Sequence, residues 1–194
     1  HYEYICSVLD IDSLIDWIIL EGSCGNIDLF RNVRLFRSSE SDGKWKSVLF
    51  DLDHAMLNDF STAFILDKTP PEENWLYMSV FGHSDFSSAR MSALLNNLLE
   101  NKEFRHKLIC RFAEVYDTVL SNENILERID YYQALLEPEV ARDWKKWDAN
   151  PNNWYRYIDM LRRSVTELDW ERLSRDAFCY YMKLSPEEIE TYFG

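Results

Sequence analysis

The chain has 194 residues and only five Gly and five Pro, beside 46% hydrophobic and 15% aromatic residues, which fits one packed, mainly helical domain and excludes disorder and fibrous repeats. Acidic residues outnumber basic ones 34 to 21, a net charge of −13, so neither nucleic acid nor an anionic membrane surface is an expected partner. The longest apolar run, "LIDWIILEG", falls short of the roughly 18 residues of a spanning helix and is interrupted by an acid, so no membrane span is expected.

Residues 10–26, "DIDSLIDWIILEGSCGN", set the capping residues Asp10, Asp12 and Ser13 before apolar Leu14, Ile15, Trp17, Ile18 and Leu20. Gly22 and Gly25 follow as stop signals, and the segment reads as an amphipathic helix. A polar loop carrying Asp28 comes next. The runs 32–37, "NVRLFR", and 44–51, "KWKSVLFD", are short β-type segments separated by the turn formers "SSESDG", and together predict an antiparallel hairpin. Residues 57–87 contain Pro70 and Pro71 and show no clear period.

From about residue 88 the apolar spacing is helical through 88–178, in four successive segments, and "SPEEIETYF" closes the chain with Ser185 as cap and Pro186 at the first helical position. No internal repeat is visible. Cys6, Cys24, Cys110 and Cys179 lie far apart, without zinc spacing, and read as scattered buried thiols.

The hairpin has a chemical consequence. Its strands lie about 4.8 Å apart, so its two open ends sit side by side. Asn32 stands at one end with Asp28 just before it; Asp51 stands at the other with Asp53 just after it. If the extended conformation continues through both acids, Asp51 and Asp53 share a face. Oxygen donors gathered this way suit a hard cation such as Mg²⁺, although each acid taken singly reads equally as a solvated turn residue. An Asp and an Asn holding metal, with another Asp taking the proton of a substrate hydroxyl, is the general arrangement of kinase chemistry.

Two family resemblances meet at this stretch. "LFDLDHAM" resembles the D-x-D strand end of haloacid-dehalogenase-like phosphatases, which would make Asp51 a nucleophile and Asp53 a general acid/base. Ala55 departs from that motif, and the helical remainder lacks the repeated strands of a doubly wound sheet. A much longer resemblance covers most of residues 8–175. "LDIDSLIDWIILEGSCGNIDLFRNVRLFR", "GKWKSVLFDLDHAM" and the later "LLENKEFRHKLICRFAEVYDTVLSNENILERIDYYQ" resemble the spore coat protein H (CotH) kinase family in order and spacing.

That resemblance implies a protein-kinase-like C-terminal lobe, mainly α with a small antiparallel hairpin, occupying 1–194 as a single domain. It implies transfer of the ATP γ-phosphoryl group, with Mg²⁺ or Mn²⁺, to Ser or Thr of a coat or secreted protein in a bacterial setting: spore coat, cell surface or exterior. By position it makes Asp28 the catalytic Asp and Asn32 and Asp51 metal ligands, with Asp53 as the second candidate for the role of Asp51. The Gly-rich loop, strand Lys and partner Glu of a kinase are not in the chain, so a nucleotide-binding lobe is expected upstream of His1, and the fragment alone is expected to be inactive.

The alternative, from another class, is a non-catalytic interaction module or pseudokinase. "DWKKWDANPNNWYRY" gathers Trp144, Trp147, Trp154, Tyr155 and Tyr157, which read either as core anchors, the favoured assignment, or as a surface platform. His54 reads as hydrogen-bonded beside the D-x-D, His83 and His106 have no ligand partners at useful spacing, and Arg31, Arg34 and Arg37 read as the outward face of the first strand, balancing nearby acids.

Overall fold

A computed structural model describes residues 1–26, 29–39, 43–53, 55–56, 76–81 and 89–194; for residues 30, 31, 78, 79, 89 and 90 it describes the backbone alone. The order is α1 (Tyr2–Val8), α2 (Ile11–Cys24), α3 (Leu29–Asn32), β1 (Arg34–Phe36), β2 (Lys46–Val48), α4 (Met78–Phe81), α5 (Ala89–Leu99), α6 (Lys102–Tyr116), α7 (Asn122–Lys146), α8 (Asn152–Leu168), α9 (Trp170–Met182) and α10 (Pro186–Phe193). The molecule is mainly helical with one small antiparallel sheet, as expected. Among the described residues the one sheet is this antiparallel pair, not the doubly wound parallel sheet that the phosphatase reading requires.

Helix α2 is the centre of the fold. Asp10 caps it, its carboxylate accepting from the Ser13 amide at 3.0 Å, and Gly25 ends it in the left-handed conformation at φ 59°. Ile11, Leu14, Ile15, Trp17, Ile18 and Ile19 are buried, and so are Glu21, Gly22 and Ser23, so the helix is enclosed over most of its circumference rather than amphipathic. Its outward acids are tied to α6: Lys107 to Asp12 at 2.6 Å and Arg111 to Asp16 at 2.8 Å.

Gly22 does not stop the helix. Its missing side chain admits the ring of Tyr77, which lies so close that a Cβ at position 22 would overlap Cδ1 and Cε1. Tyr77 is fully buried and meets Phe178 edge to face at 5.4 Å and Phe112 at 6.2 Å, while Phe112 and Phe178 stack at 3.8 Å. Its hydroxyl shares a 2.9 Å hydrogen bond with Ser23 Oγ. Thus the stretch 57–87, which reads as irregular, holds a short helix and the central ring of the core; 57–75 and 82–88 lie outside the described residues.

The hairpin is shorter than the sequence suggests but in register, with Arg34 opposite Val48, Leu35 opposite Ser47 and Phe36 opposite Lys46. Its second strand is stitched to the start of α2. Trp45 O accepts from the Asp10 amide at 2.8 Å, the Trp45 amide donates to Val8 O at 2.8 Å, and the Ser47 amide donates to Ser13 Oγ at 3.0 Å.

The helical half divides where local capping dictates. Asn101 and Ser121 cap α6 and α7 through their side chains. The long periodic run at 154–178 breaks at Asp169, whose φ of 54° ends α8 while its carboxylate accepts from the Arg172 amide to start α9. Helices α7 and α8 form a hairpin of their own, and Val140 is the one buried residue of α7 among those described.

Candidate functional site

The last turn of α2 organises the region that carries the acids. Asn26 is fully buried; its Nδ2 donates to Glu21 Oε2 at 3.0 Å and its amide donates to Glu21 O at 3.3 Å. Glu21 is itself fully buried, and its Oε1 has no hydrogen-bond partner. Burial raises the Glu21 pKa above its ordinary value of 4.5, and the Asn26 hydrogen bond offsets part of that rise. The chain leaving α2 towards Asp28 is therefore gripped by a carboxyl group two residues before that Asp.

The segment after the D-x-D returns to the same turn. The Met56 amide donates to Cys24 O at 2.7 Å. On α9, Trp170 Nε1 donates to Ser23 O at 2.9 Å, closing the end of α2 from the other side. So the loops on either side of the hairpin are both anchored within residues 21–26.

The hairpin register supplies the next relationship. Since Arg34 faces Val48, Asn32 lies two residues before one strand end and Asp51 three residues after the other, at the same open edge. Asn32 closes α3 and is only 6% exposed. Asp51 and Asp53 are exposed. Asp28 lies outside the described residues, as does His54.

The expectation of a continued extended run through Asp51 and Asp53 is overturned. Asp51 has φ 61°, in the left-handed region, and the chain then turns, the Ala55 amide donating to Leu52 O at 3.0 Å. Period-two alternation stops at Phe50, so the two carboxylates do not share a strand face. Asp is one of the few side-chain-bearing residues that accept this conformation readily, which gives the residue type at 51 a backbone role besides its charge.

The described donors at this edge are one amide and two carboxylates, all oxygen, which is the chemistry a hard divalent cation takes. Among the described residues no group of three His, Cys, Asp or Glu stands close enough to hold a metal, so a cation here would keep water or phosphate oxygens in its remaining positions. Arg34 and Arg37 are exposed and lie over aromatic rings, Arg34 over Phe50 at 4.9 Å and Arg37 over Trp45 at 5.2 Å. The side chain of Arg31 and all of His83 lie outside the described residues. His106 contacts Cys110 Sγ, at 3.6 Å, and Tyr192 Oη, at 3.3 Å.

Two further expectations are corrected. Cys110 is exposed and only Cys179 of the four thiols is buried. The aromatic cluster at 144–157 is not core: Trp147 is 68% exposed, Tyr155 and Tyr157 are exposed, and Trp144 and Trp154 are half-buried. Trp144, Trp147, Tyr155 and Tyr157 sit around the tip of the α7–α8 hairpin, while Trp154 lines the space between that hairpin and the end of α2. Sequence reasoning also passed over Glu21 as a site residue, although its signal was visible as the lone acid at the end of an apolar helical run.

No curated protein and no solved structure matches the chain. Among the described residues no helix is long and apolar enough to cross a membrane. The family model described as CotH kinase protein matches residues 1–167, well over half of the sequence, and the chain belongs to that family.

Proposed function

We propose that the chain is the C-terminal lobe of a CotH-type protein kinase and that the complete protein transfers the γ-phosphoryl group of ATP to Ser or Thr of a protein substrate in a spore coat or at the cell exterior. The observation that carries this reading is the anchoring of both acid-bearing loops to the last turn of α2, through Asn26 on Glu21 and Met56 on Cys24, with the hairpin bringing the ends at Asn32 and Asp51 to one edge.

In this reading Asp28 orients the substrate hydroxyl and receives its proton as the oxygen–phosphorus bond forms and ADP leaves. Asn32 and Asp51 would hold Mg²⁺ or Mn²⁺, with Asp53 as the second candidate; the ion, when bound, neutralises phosphate charge. Anchoring of the flanking chain at Asn26 and Met56 to a buried helix supports this reading, because phosphoryl transfer asks for groups positioned before substrate arrives. An upstream nucleotide-binding lobe would complete the cleft, and the exposed Phe36 and Phe50 of the hairpin would offer it apolar surface.

The test is radiolabel transfer from γ-labelled ATP by the full-length protein, with Asp28→Ala and Asp51→Ala as controls. Transfer that disappears in both variants supports the assignments, and undiminished transfer in both overturns them. The second reading, a pseudokinase acting as an interaction module, is favoured by the exposed aromatics of the α7–α8 hairpin; it predicts no transfer by the unaltered protein.

A further inference from the structure

We infer that the cavity between the end of α2 and the α7–α8 hairpin binds a single-chain amphiphile with an anionic head, such as a long-chain carboxylate. The cavity measures about 720 Å³, within the range of small-molecule sites. Ile129 on α7, Trp154, Ile158 and Leu161 on α8 and Trp170 on α9 contribute apolar walls.

Charge decides what it takes. The protein carries 34 acids against 21 Lys and Arg, yet no Asp or Glu is among the described residues lining this cavity. Among the described lining residues the one cation is Arg128, which is exposed and forms no ion pair with any described residue. Neighbouring arginines are engaged: Arg162 pairs with Asp130 and donates to Gln133 Oε1 at 2.6 Å, and Arg142 pairs with Glu139 at 2.5 Å. An apolar chamber with one uncompensated guanidinium in its lining matches an alkyl chain ending in a carboxylate: the walls desolvate the chain, and Arg128 meets the head with charge-assisted hydrogen bonds.

The site borders the region already described. Met56 and Cys24 line it, and the Met56 amide is the group that ties the D-x-D segment to α2. The inference rests on the cavity and not on phosphotransfer.

The experiment is calorimetric titration of the full chain with dodecanoate and with 1-dodecanol, below their aggregation concentrations. One saturable site is expected for dodecanoate, with Arg128→Ala weakening it about threefold to tenfold while leaving the alcohol unchanged. Ile158→Trp, which adds bulk to the chamber wall, is expected to weaken both; Leu161→Phe serves in its place if thermal melting shows that Ile158→Trp does not fold. Absence of a saturable site, binding of both ligands unaffected by the added bulk, or dodecanoate affinity indifferent to Arg128→Ala would each overturn the proposal. So would a dimer of the ligand-free protein in sedimentation that the cavity-filling variant dissociates, since a second copy would then be the occupant.

Discussion

Glu21 and Asn26 are joined twice, side chain to side chain at 3.0 Å and amide to carbonyl at 3.3 Å, both residues fully buried. A carboxyl in this position is costly to ionise, and burial accordingly holds its pKa above 4.5. The native state therefore keeps the Glu21 proton at pH values where the unfolded chain has lost it. Its contribution to stability is complete below about pH 4.5 and is lost as pH rises through the folded-state pKa. Glu21→Gln, which carries no titrating proton, removes this component of the pH slope, while Glu21→Ala deletes the Asn26–Glu21 side-chain hydrogen bond, opens a cavity and costs ~2–4 kcal/mol. Urea midpoints of the three proteins across a pH series measure both effects; identical slopes for the unaltered protein and Glu21→Gln would show that Glu21 ionises without penalty.

At Asp51 the left-handed backbone separates conformation from charge. Asp51→Asn keeps a residue that tolerates φ 61° and is expected to leave folding within ~0.5 kcal/mol, while removing the charge available to a cation. Asp51→Val puts a β-branched residue there and is expected to destabilise by ~1–2 kcal/mol. Equal stabilities of the Asn and Val variants in urea would show that the loop relaxes and that position 51 imposes no backbone demand.

What could be read from the residues was what local physics decides. The Asp10 cap, the pairing of the two short strands, and the Ser185 cap with Pro186 all depend on residues close in sequence, and each stands as the sequence indicates. The relationships that shape the site act between distant segments. Tyr77 lies in a stretch with no period, yet it fills the space that Gly22 leaves, 55 positions earlier. Asp51 looked like a strand residue because nothing in "VLFDLD" marks where pairing ends; Met56 docking on Cys24 bends the chain there instead. The aromatics at 147–157 had a helical spacing that suits a core, but burial needs a partner surface, and none of the described elements covers the hairpin tip.

The Gly22–Tyr77 contact predicts a severe effect from a small change. Gly22→Ala improves helix propensity by up to ~1 kcal/mol. The added methyl, however, would overlap a ring that is itself packed against Phe112 and Phe178 and cannot retreat. Overpacking of this kind costs ~1–3 kcal/mol or more, so the net change is destabilising and Tm falls. Adding Tyr77→Leu to Gly22→Ala should recover part of the loss relative to the sum of the single changes, because the clash disappears with the ring. Additive losses in this double-mutant cycle would mean that the two sites are uncoupled.

The junction of α7 and α9 carries the last prediction. Asn122 uses both ends of its amide: Nδ2 donates to Asp169 Oδ1 at 2.8 Å and Oδ1 accepts from the Glu171 amide at 3.1 Å. Its own amide donates to Glu171 Oε2 at 2.9 Å, so the first turns of two helices cap each other across 49 positions of sequence. With Val140 the one buried residue described in α7, little apolar burial attaches this helix to the body, and the polar junction carries a large share of its docking. Asn122→Ala removes both side-chain hydrogen bonds and should cost ~1–2 kcal/mol, since the groups left behind are partly solvated. The loss should be local: amide exchange is expected to accelerate along α7 and α8 while α2 and α6 remain protected, because the latter belong to the aromatic core. Uniform acceleration across all helices would instead show that the α7–α8 hairpin unfolds only with the whole domain.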